Sequence, residues 1–261
     1  MKPESPGYTL AFATAVCVVC ALFVSASNVL LKDLQETNRL LYLRKNVLQA
    51  AGIIGLGEKV PGPEAMRLFE ERIEPRLVDL ETGEYLSGVD PAEYDQRAAR
   101  KAPEQSRAVE ENPAGVRRVP DVAKVYLVKD PAGDFSHVVI PVEGLGLYGT
   151  LYGFLALAKD TSTIRGLSFY ENKETPGLGA EVDNPDWKEL WIGRKALDEE
   201  WEPRIELVKG RVGPPLQNPY EVDALSGATM TSNGVTRLLH FWLGEEGFEP
   251  FLRKARERGG F

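Results

Sequence analysis

The 261-residue chain contains only two cysteines and two histidines. Most protein-only metal or cluster sites need three or four converging His, Cys or carboxylate ligands, so this chain is poorly supplied for one. Both cysteines, Cys17 and Cys20, fall in one apolar stretch near the N-terminus. The remainder therefore has no thiol chemistry and no disulfide frame. Long basic runs are missing too: acidic residues outnumber basic ones 39 to 31, for a net charge of −8. The electrostatic footprint of a nucleic-acid binder is absent. No internal repeat occurs. What is present is an apolar fraction of 43 %, ordinary for a packed core. The length fits one domain, or one domain with an appended segment.

The appended segment is at the front. From Tyr8 to Leu31 the chain reads YTLAFATAVCVVCALFVSASNVLL, without a charge. A helix crosses a bilayer core with about 20 apolar residues. A cleaved signal peptide is the alternative, since VSASN holds a small-x-small pattern. Against it, Lys2 is offset by Glu4, and apolar residues continue past that site to Leu31. The expectation is a short tail over 1–7 and a single transmembrane helix over 8–31. Lys32, Arg39, Arg44 and Lys45 follow the span, and a simple positive-inside count would keep the large domain in the cytoplasm. Long domains cross regardless of such charges. Cys17 and Cys20, three apart, share a helix face. They read either as a redox pair or half-cluster shared with a partner, or as small residues at a helix contact.

Residues 32–50 carry apolar residues at helical spacing and predict a juxtamembrane helix, followed by the Gly/Pro-rich break AGIIGLGEKVPGP. A helix from Ala65 to Ile73 is expected to end at Pro75, with a hairpin around Thr82-Gly83 after it. Residues 90–112 are charged and poor in apolar side chains, a surface insertion. From Ala123 the pattern changes. AKVYLVK, HVVIPVE, TLYGFLALAK and TIRGLSFYE are β-branched and aromatic runs, read as consecutive strands of a mostly antiparallel sheet. Asn184 predicts a helix cap before Pro185, with Trp187 and Trp191 on one face behind it. RIELVKGRV is expected as a further strand. Ser232–Leu243 is expected as the last helix, with Val235, Leu238, Leu239 and Trp242 on its apolar face. The fold class is α+β, divided into a transmembrane helix, an accessory segment over 32–120 and a domain over 121–261.

One motif is a decoy. Gly144-Leu145-Gly146-Leu147-Tyr148-Gly149 fits G-x-G-x-x-G, but a dinucleotide site needs a helix directly afterwards, and TLYGFLALAK is strand-like. A loop between strands fits better. The run Asp223-Ala224-Leu225-Ser226-Gly227-Ala228-Thr229 sits before the expected last helix. Its small residues admit a large ligand, and a helix N-terminus favours a phosphate. Thr229, Thr231 and Ser232 supply hydroxyls, any of which could equally be a plain N-cap.

The pattern Asp223-x-x-Ser226-Gly227-Ala228-Thr229 resembles the flavinylation motif of the FMN-binding domain family. In that family a flavin transferase moves FMN from FAD onto the threonine ending the motif, supplying the base and metal itself. The resemblance therefore implies a covalent FMN on Thr229, with Asp223 positioning the acceptor loop. Glu174-Thr175-Pro176-Gly177-Leu178-Gly179 is similar to the family's ETPGLG element, which lines the flavin site. It implies close backbone approach at the glycines, a hydrogen bond from Thr175 and packing by Leu178. The GLGLYG loop matches a family position where Trp is usual, with Tyr148 as the stacking aromatic. Two groups share the whole plan: the C subunits of the Na+-translocating NADH:quinone reductase and the G subunits of the Rnf ferredoxin:NAD complex. The segment 51–120 and SGATMTSNGV are more similar to the former.

The resemblance implies an electron relay in a complex that oxidises NADH, reduces ubiquinone and moves Na+ across the bacterial inner membrane. The other subunits and the transferase are its expected partners, and the flavin domain is expected on the periplasmic side. No catalytic residue and no metal ligand is expected in the chain. An anchored stand-alone reductase and a non-redox assembly module are the competing readings.

Overall fold

The computed structural model describes residues 5–261. Lys2 and Glu4, the charges of the expected tail, lie outside the described residues. The span and the juxtamembrane helix, expected as two segments, are one continuous helix, α1 (Pro6–Ala50). Its 45 residues would extend about 68 Å at 1.5 Å per residue, more than twice a bilayer core. No glycine or proline interrupts it after Gly7, so nothing ends the helix at the membrane boundary. The chain divides into two units after Tyr42. In the first, Leu22, Phe23, Val24, Val29 and Leu30 are all exposed, and by length and composition the helix could cross a membrane. An uncovered apolar surface of this kind suits lipid rather than water.

The second unit is built on a five-stranded antiparallel sheet of order β1-β4-β5-β6-β7. Its strands are β1 (Ile73–Asp79), β4 (Val122–Lys129), β5 (Phe135–Leu145), β6 (Thr150–Ala158) and β7 (Ile164–Glu171), with a separate pair β2 (Ser106–Ala108) and β3 (Arg118–Pro120). Strand alternation sends Val125, Leu127, Val138, Ile140, Leu155, Leu157 and Phe169 into one core. Against them pack Val235, Leu238, Leu239 and Trp242 of α5 (Thr229–Leu243).

The opposite face is covered by the end of α1, by α2 (Gly62–Arg72) and by α3 (Gln96–Lys101). Tyr126, Phe154 and Tyr170 form successive ring contacts across it, and Phe69 of α2 meets Tyr126 at 6.1 Å. Arg97 of α3 lies 3.7 Å over the Tyr152 ring. Gly166 of β7 lets α1 sit directly on the sheet, since a Cβ there would enter the Ala50 carbonyl. His137 Nε2 bonds the Ala51 carbonyl at 3.0 Å, closing the helix end. The segment before residue 120 thus contributes an edge strand and a cover to the same sheet.

Some elements differ from expectation. Pro75 does not end a helix; it lies within β1, opposite Tyr126. The edge position permits this, because proline has no N–H to give a second neighbour. RIELVKGRV keeps only β8 (Glu206–Val208), parallel to β9 (Glu221–Asp223). α5 starts at Thr229, three residues earlier than expected, and α6 (Glu249–Glu257) follows it, so α5 is not the last helix. The Asn184 cap is present: its side chain accepts from Asp186 N–H at 3.0 Å and opens α4 (Pro185–Glu189). Trp187 and Trp191 behind it are buried, 5.3 Å apart and edge-on.

Candidate functional site

Three connections meet at one end of the sheet. The first is the tip of the β5–β6 hairpin, where Gly146 N–H donates to the Gly149 carbonyl at 2.8 Å. A strand follows it, so the G-x-G-x-x-G match is a turn and not a dinucleotide loop. The second follows β7. Here Thr175 turns the chain, its carbonyl accepting from Leu178 and Ala180 N–H at 3.1 and 3.2 Å. Gly177 adopts φ 76°, a left-handed conformation that glycine takes without penalty. The third joins β9 to α5. Gly227 has φ 72°, Ser232 Oγ accepts from Leu225 N–H, and it donates to the Ala228 carbonyl, both at 3.0 Å.

Glu174 links all three and is 6 % exposed. One carboxylate oxygen accepts from Leu147 and Tyr148 N–H, each at 3.0 Å. The other accepts from the Thr231 hydroxyl at 2.6 Å. The glycines beside it leave space for this arrangement. A Cβ on Gly146 would lie 2.5 Å from one oxygen, and a Cβ on Gly179 would lie 2.5 Å from the other. Asn172 supports the turn from below, its Oδ1 accepting from Glu174 N–H at 3.1 Å and its Nδ2 donating to Asp183 at 2.8 Å. Burial raises the Asp183 carboxyl above the usual range, opposed by Lys188, whose own pKa burial lowers.

Around this clasp lies uncovered apolar surface. Leu145, Leu147, Tyr148, Leu178 and Met230 are 43–65 % exposed. Leu178 lies over the β9–α5 loop, since a Cβ on Gly227 would sit 3.1 Å from its Cδ2. Ser226 and Gly227 are exposed and small. Thr229 is the first residue of α5, and Ala228 before it gives no side-chain cap. The first helical bond runs from Ser232 N–H to the Ala228 carbonyl. The N–H groups of Thr229, Met230 and Thr231 have no partner among the described residues, as an anion-binding helix start requires.

Burial separates the three candidate hydroxyls. Thr231 and Ser232 are each 1 % exposed and hydrogen-bonded. Thr229 is exposed, and no hydrogen bond engages its hydroxyl among the described residues. Asp223 points elsewhere: its carboxylate accepts from Val212 N–H at 2.7 Å, and its carbonyl accepts from the Trp187 indole at 2.9 Å. It fixes the start of the β9–α5 loop from behind. Thr175 is exposed. Leu147, Met230 and Asn172 also lie at the site, although the sequence names none of them as a contact; Leu147 and Met230 sit inside the runs GLGLYG and SGATMTSNGV. Cys17 and Cys20 are free and exposed on α1. Among the described residues no group of three or more His, Cys, Asp or Glu could hold a metal ion.

Exposed apolar side chains, glycines at the points of closest approach and a helix start beside a free hydroxyl fit FMN. Residues 146–244 match the FMN-binding domain, a span that contains the three connections. The C subunit of the Na(+)-translocating NADH-quinone reductase of Yersinia pestis is 43 % identical over 256 residues, 97 % of this chain and 94 % of that protein. Its Vibrio alginolyticus counterpart is 45 % identical over 251 residues, 95 % and 94 %. The crystal structure of NqrC from Shewanella oneidensis superimposes with a TM-score of 0.75 at 37 % identity, covering 82 % of this chain and 96 % of that one. Fold and site thus define an FMN-binding domain behind an N-terminal helix long and apolar enough to cross a membrane. Within that class, the chain belongs to the NqrC family, the C subunits of the Na(+)-translocating NADH-quinone reductase.

Proposed function

We propose that the chain relays electrons within a Na+-translocating NADH:quinone reductase through an FMN held as a phosphoester on Thr229. Its partners are the other subunits of that complex. Family membership supports the relay, and the isoalloxazine supplies the electron transfer when bound. The chain's residues bind and orient it. Leu178, Tyr148, Leu147 and Met230 present the apolar surface for the ring. The free N–H groups of Thr229, Met230 and Thr231, at the positive end of the α5 dipole, would hold the FMN phosphate. The glycines at 146, 179 and 227 keep the backbone close.

The observation that carries the covalent link is the contrast among the hydroxyls: of the three, Thr229 alone offers one that is both exposed and unbonded among the described residues. A threonine alone is a poor nucleophile. A flavin transferase supplies the base that takes the Thr229 proton. The Thr229 oxygen then bonds to the riboflavin-side phosphorus of FAD, the pyrophosphate bond breaks, and AMP leaves. Peptide mapping of protein matured with the transferase tests this. Fragmentation is expected to place the adduct between Ala228 and Met230, that is, on Thr229; an adduct on Thr231 or Ser232 contradicts it.

The flavin domain is placed on the periplasmic side of a bacterial inner membrane, with α1 as a single span. Two of the four cations that argue otherwise have uses in the fold. Arg44 stacks over Phe69 at 5.0 Å, and Lys45 donates to the Val60 carbonyl at 2.6 Å. Alkaline phosphatase fused after Phe261 is expected to be active. A fusion that is inactive, with a fluorescent-protein fusion that lights up, reverses the orientation.

A further inference from the structure

We propose that Glu174 is the positioning residue of the flavin site, holding the hairpin tip, the turn after β7 and the start of α5 in register through one buried carboxylate; its bearing on flavin rests on the function proposed above. Its ground is the division of labour between the two oxygens. One takes the adjacent N–H groups of Leu147 and Tyr148, both at 3.0 Å, and the other takes the Thr231 hydroxyl at 2.6 Å. These partners lie 27, 26 and 57 residues away in sequence, so each bond ties a separate piece of chain.

A buried carboxylate costs several kcal/mol unless donors compensate it, about the cost scale of any desolvated charge. Here three donors converge on it. The hairpin tip has little else to order it. Leu147 and Tyr148 expose their side chains, and the turn between them closes on a single bond from Gly146 to Gly149. Without the carboxylate, both tip N–H groups turn to water, and the surface carrying Leu147 and Tyr148 loses its relation to Thr229. The bond to Thr231 has a second effect: it keeps that hydroxyl engaged two residues from the acceptor.

Glutamine separates geometry from charge. Its oxygen can still accept from Leu147 and Tyr148, while its amide donates to Thr231 Oγ1, which can reverse its role. Alanine keeps neither. The test uses the full chain in detergent, first in a Thr229→Ala background, so that the result does not depend on flavin attachment. Amide hydrogen exchange at Leu147 and Tyr148 is expected to speed up about tenfold in Glu174→Ala, the equivalent of one lost hydrogen bond each. Glu174→Gln is expected to keep the protection. If Glu174→Ala does not fold, Glu174→Asp, one methylene too short to reach both sides, takes its place.

With Thr229 restored and the transferase and FAD supplied, Glu174→Ala is expected to lower flavin occupancy and to open the bound flavin to iodide quenching. Glu174→Gln is expected to load normally but shift the flavin midpoint potential in the positive direction, because a negative charge beside it is gone. Unchanged exchange at Leu147 and Tyr148 in Glu174→Ala overturns the proposal. So does loss of protection in Glu174→Gln equal to that in Glu174→Ala. If no variant, nor the wild type, takes up flavin while the exchange result stands, the flavin reading fails and the clasp survives it.

Discussion

Thr229, Thr231 and Ser232 differ by one turn of helix, yet their chemistry diverges because α5 begins at Thr229 and turns the next two hydroxyls inward. The motif singles out Thr229 in the sequence, but not the reason its neighbours Thr231 and Ser232 are buried and hydrogen-bonded. For Thr231 that reason is Glu174, whose contacts span 26 to 57 residues, beyond the reach of any local pattern. Asp223 is the converse case. Its place in the motif is plain, but its aim toward Val212 depends on how the 209–220 loop folds back. Gly179 gives a direct residue-scale test. In Gly179→Ala the new methyl would sit 2.5 Å from Glu174 and Thr231 oxygens, so overpacking is expected to cost about 1–3 kcal/mol in urea unfolding.

His137 gives a second, through pH. Burial drives its pKa down to about 4, with Arg165 and Arg72 adding to the effect and the bond to Ala51 opposing it. The unfolded chain protonates this ring near pH 6.5, about its free value. The unfolded state therefore binds the extra proton first. Stability from this group is complete above about pH 6.5 and falls as pH drops toward 4, by up to about 3 kcal/mol. In His137→Asn that part of the slope is expected to vanish from unfolding curves taken across the range.

Elements are legible where local chemistry decides them. The four strands β4 to β7 follow the β-branched runs, and Asn184 before Pro185 caps its helix as composition requires. Pro75 misleads because proline reads as a helix terminator, whereas an edge strand tolerates it equally well, and edge status is a property of the sheet. The start of α5 lies three residues before its expected place because Thr229 looks like a cap and serves as the first helical residue. α3 shows what the charged insertion does. Arg97 donates to Glu171 at 2.8 Å and lies 3.7 Å over Tyr152, pinning the insertion to the sheet. Arg97→Ala is expected to cost about 1–2 kcal/mol, from the lost stacking and charge-assisted bond. Arg97→Lys is expected to recover less than half of that in thermal unfolding, lacking the planar fork.

At the scale of the whole molecule, the uncharged stretch announces a helix long and apolar enough to cross a membrane, and the motifs announce the FMN-binding domain. The helix over 32–50 is legible too; hidden from the sequence is that its end packs on the sheet and gives the domain a wall. Val47, Leu48, Ala50 and Ala51 at its end are buried, so the helix belongs to the fold beyond Tyr42. A chain starting at Leu43 is expected to be soluble, monodisperse and cooperative in melting. One starting at Gly52 uncovers the part of the second sheet face around Gly166 and is expected to aggregate, which gel filtration reads directly.

Thr229 is the exposed, unbonded hydroxyl at the start of α5, and in the proposed function it receives FMN. Intact-mass measurement tests this most directly, on the full chain matured with a flavin transferase and FAD, beside Thr229→Ala. The expected result is an increase equal to FMN less one water that survives denaturation in the wild type and is missing from the variant. No increase in the wild type, or the same increase in Thr229→Ala, would contradict the account.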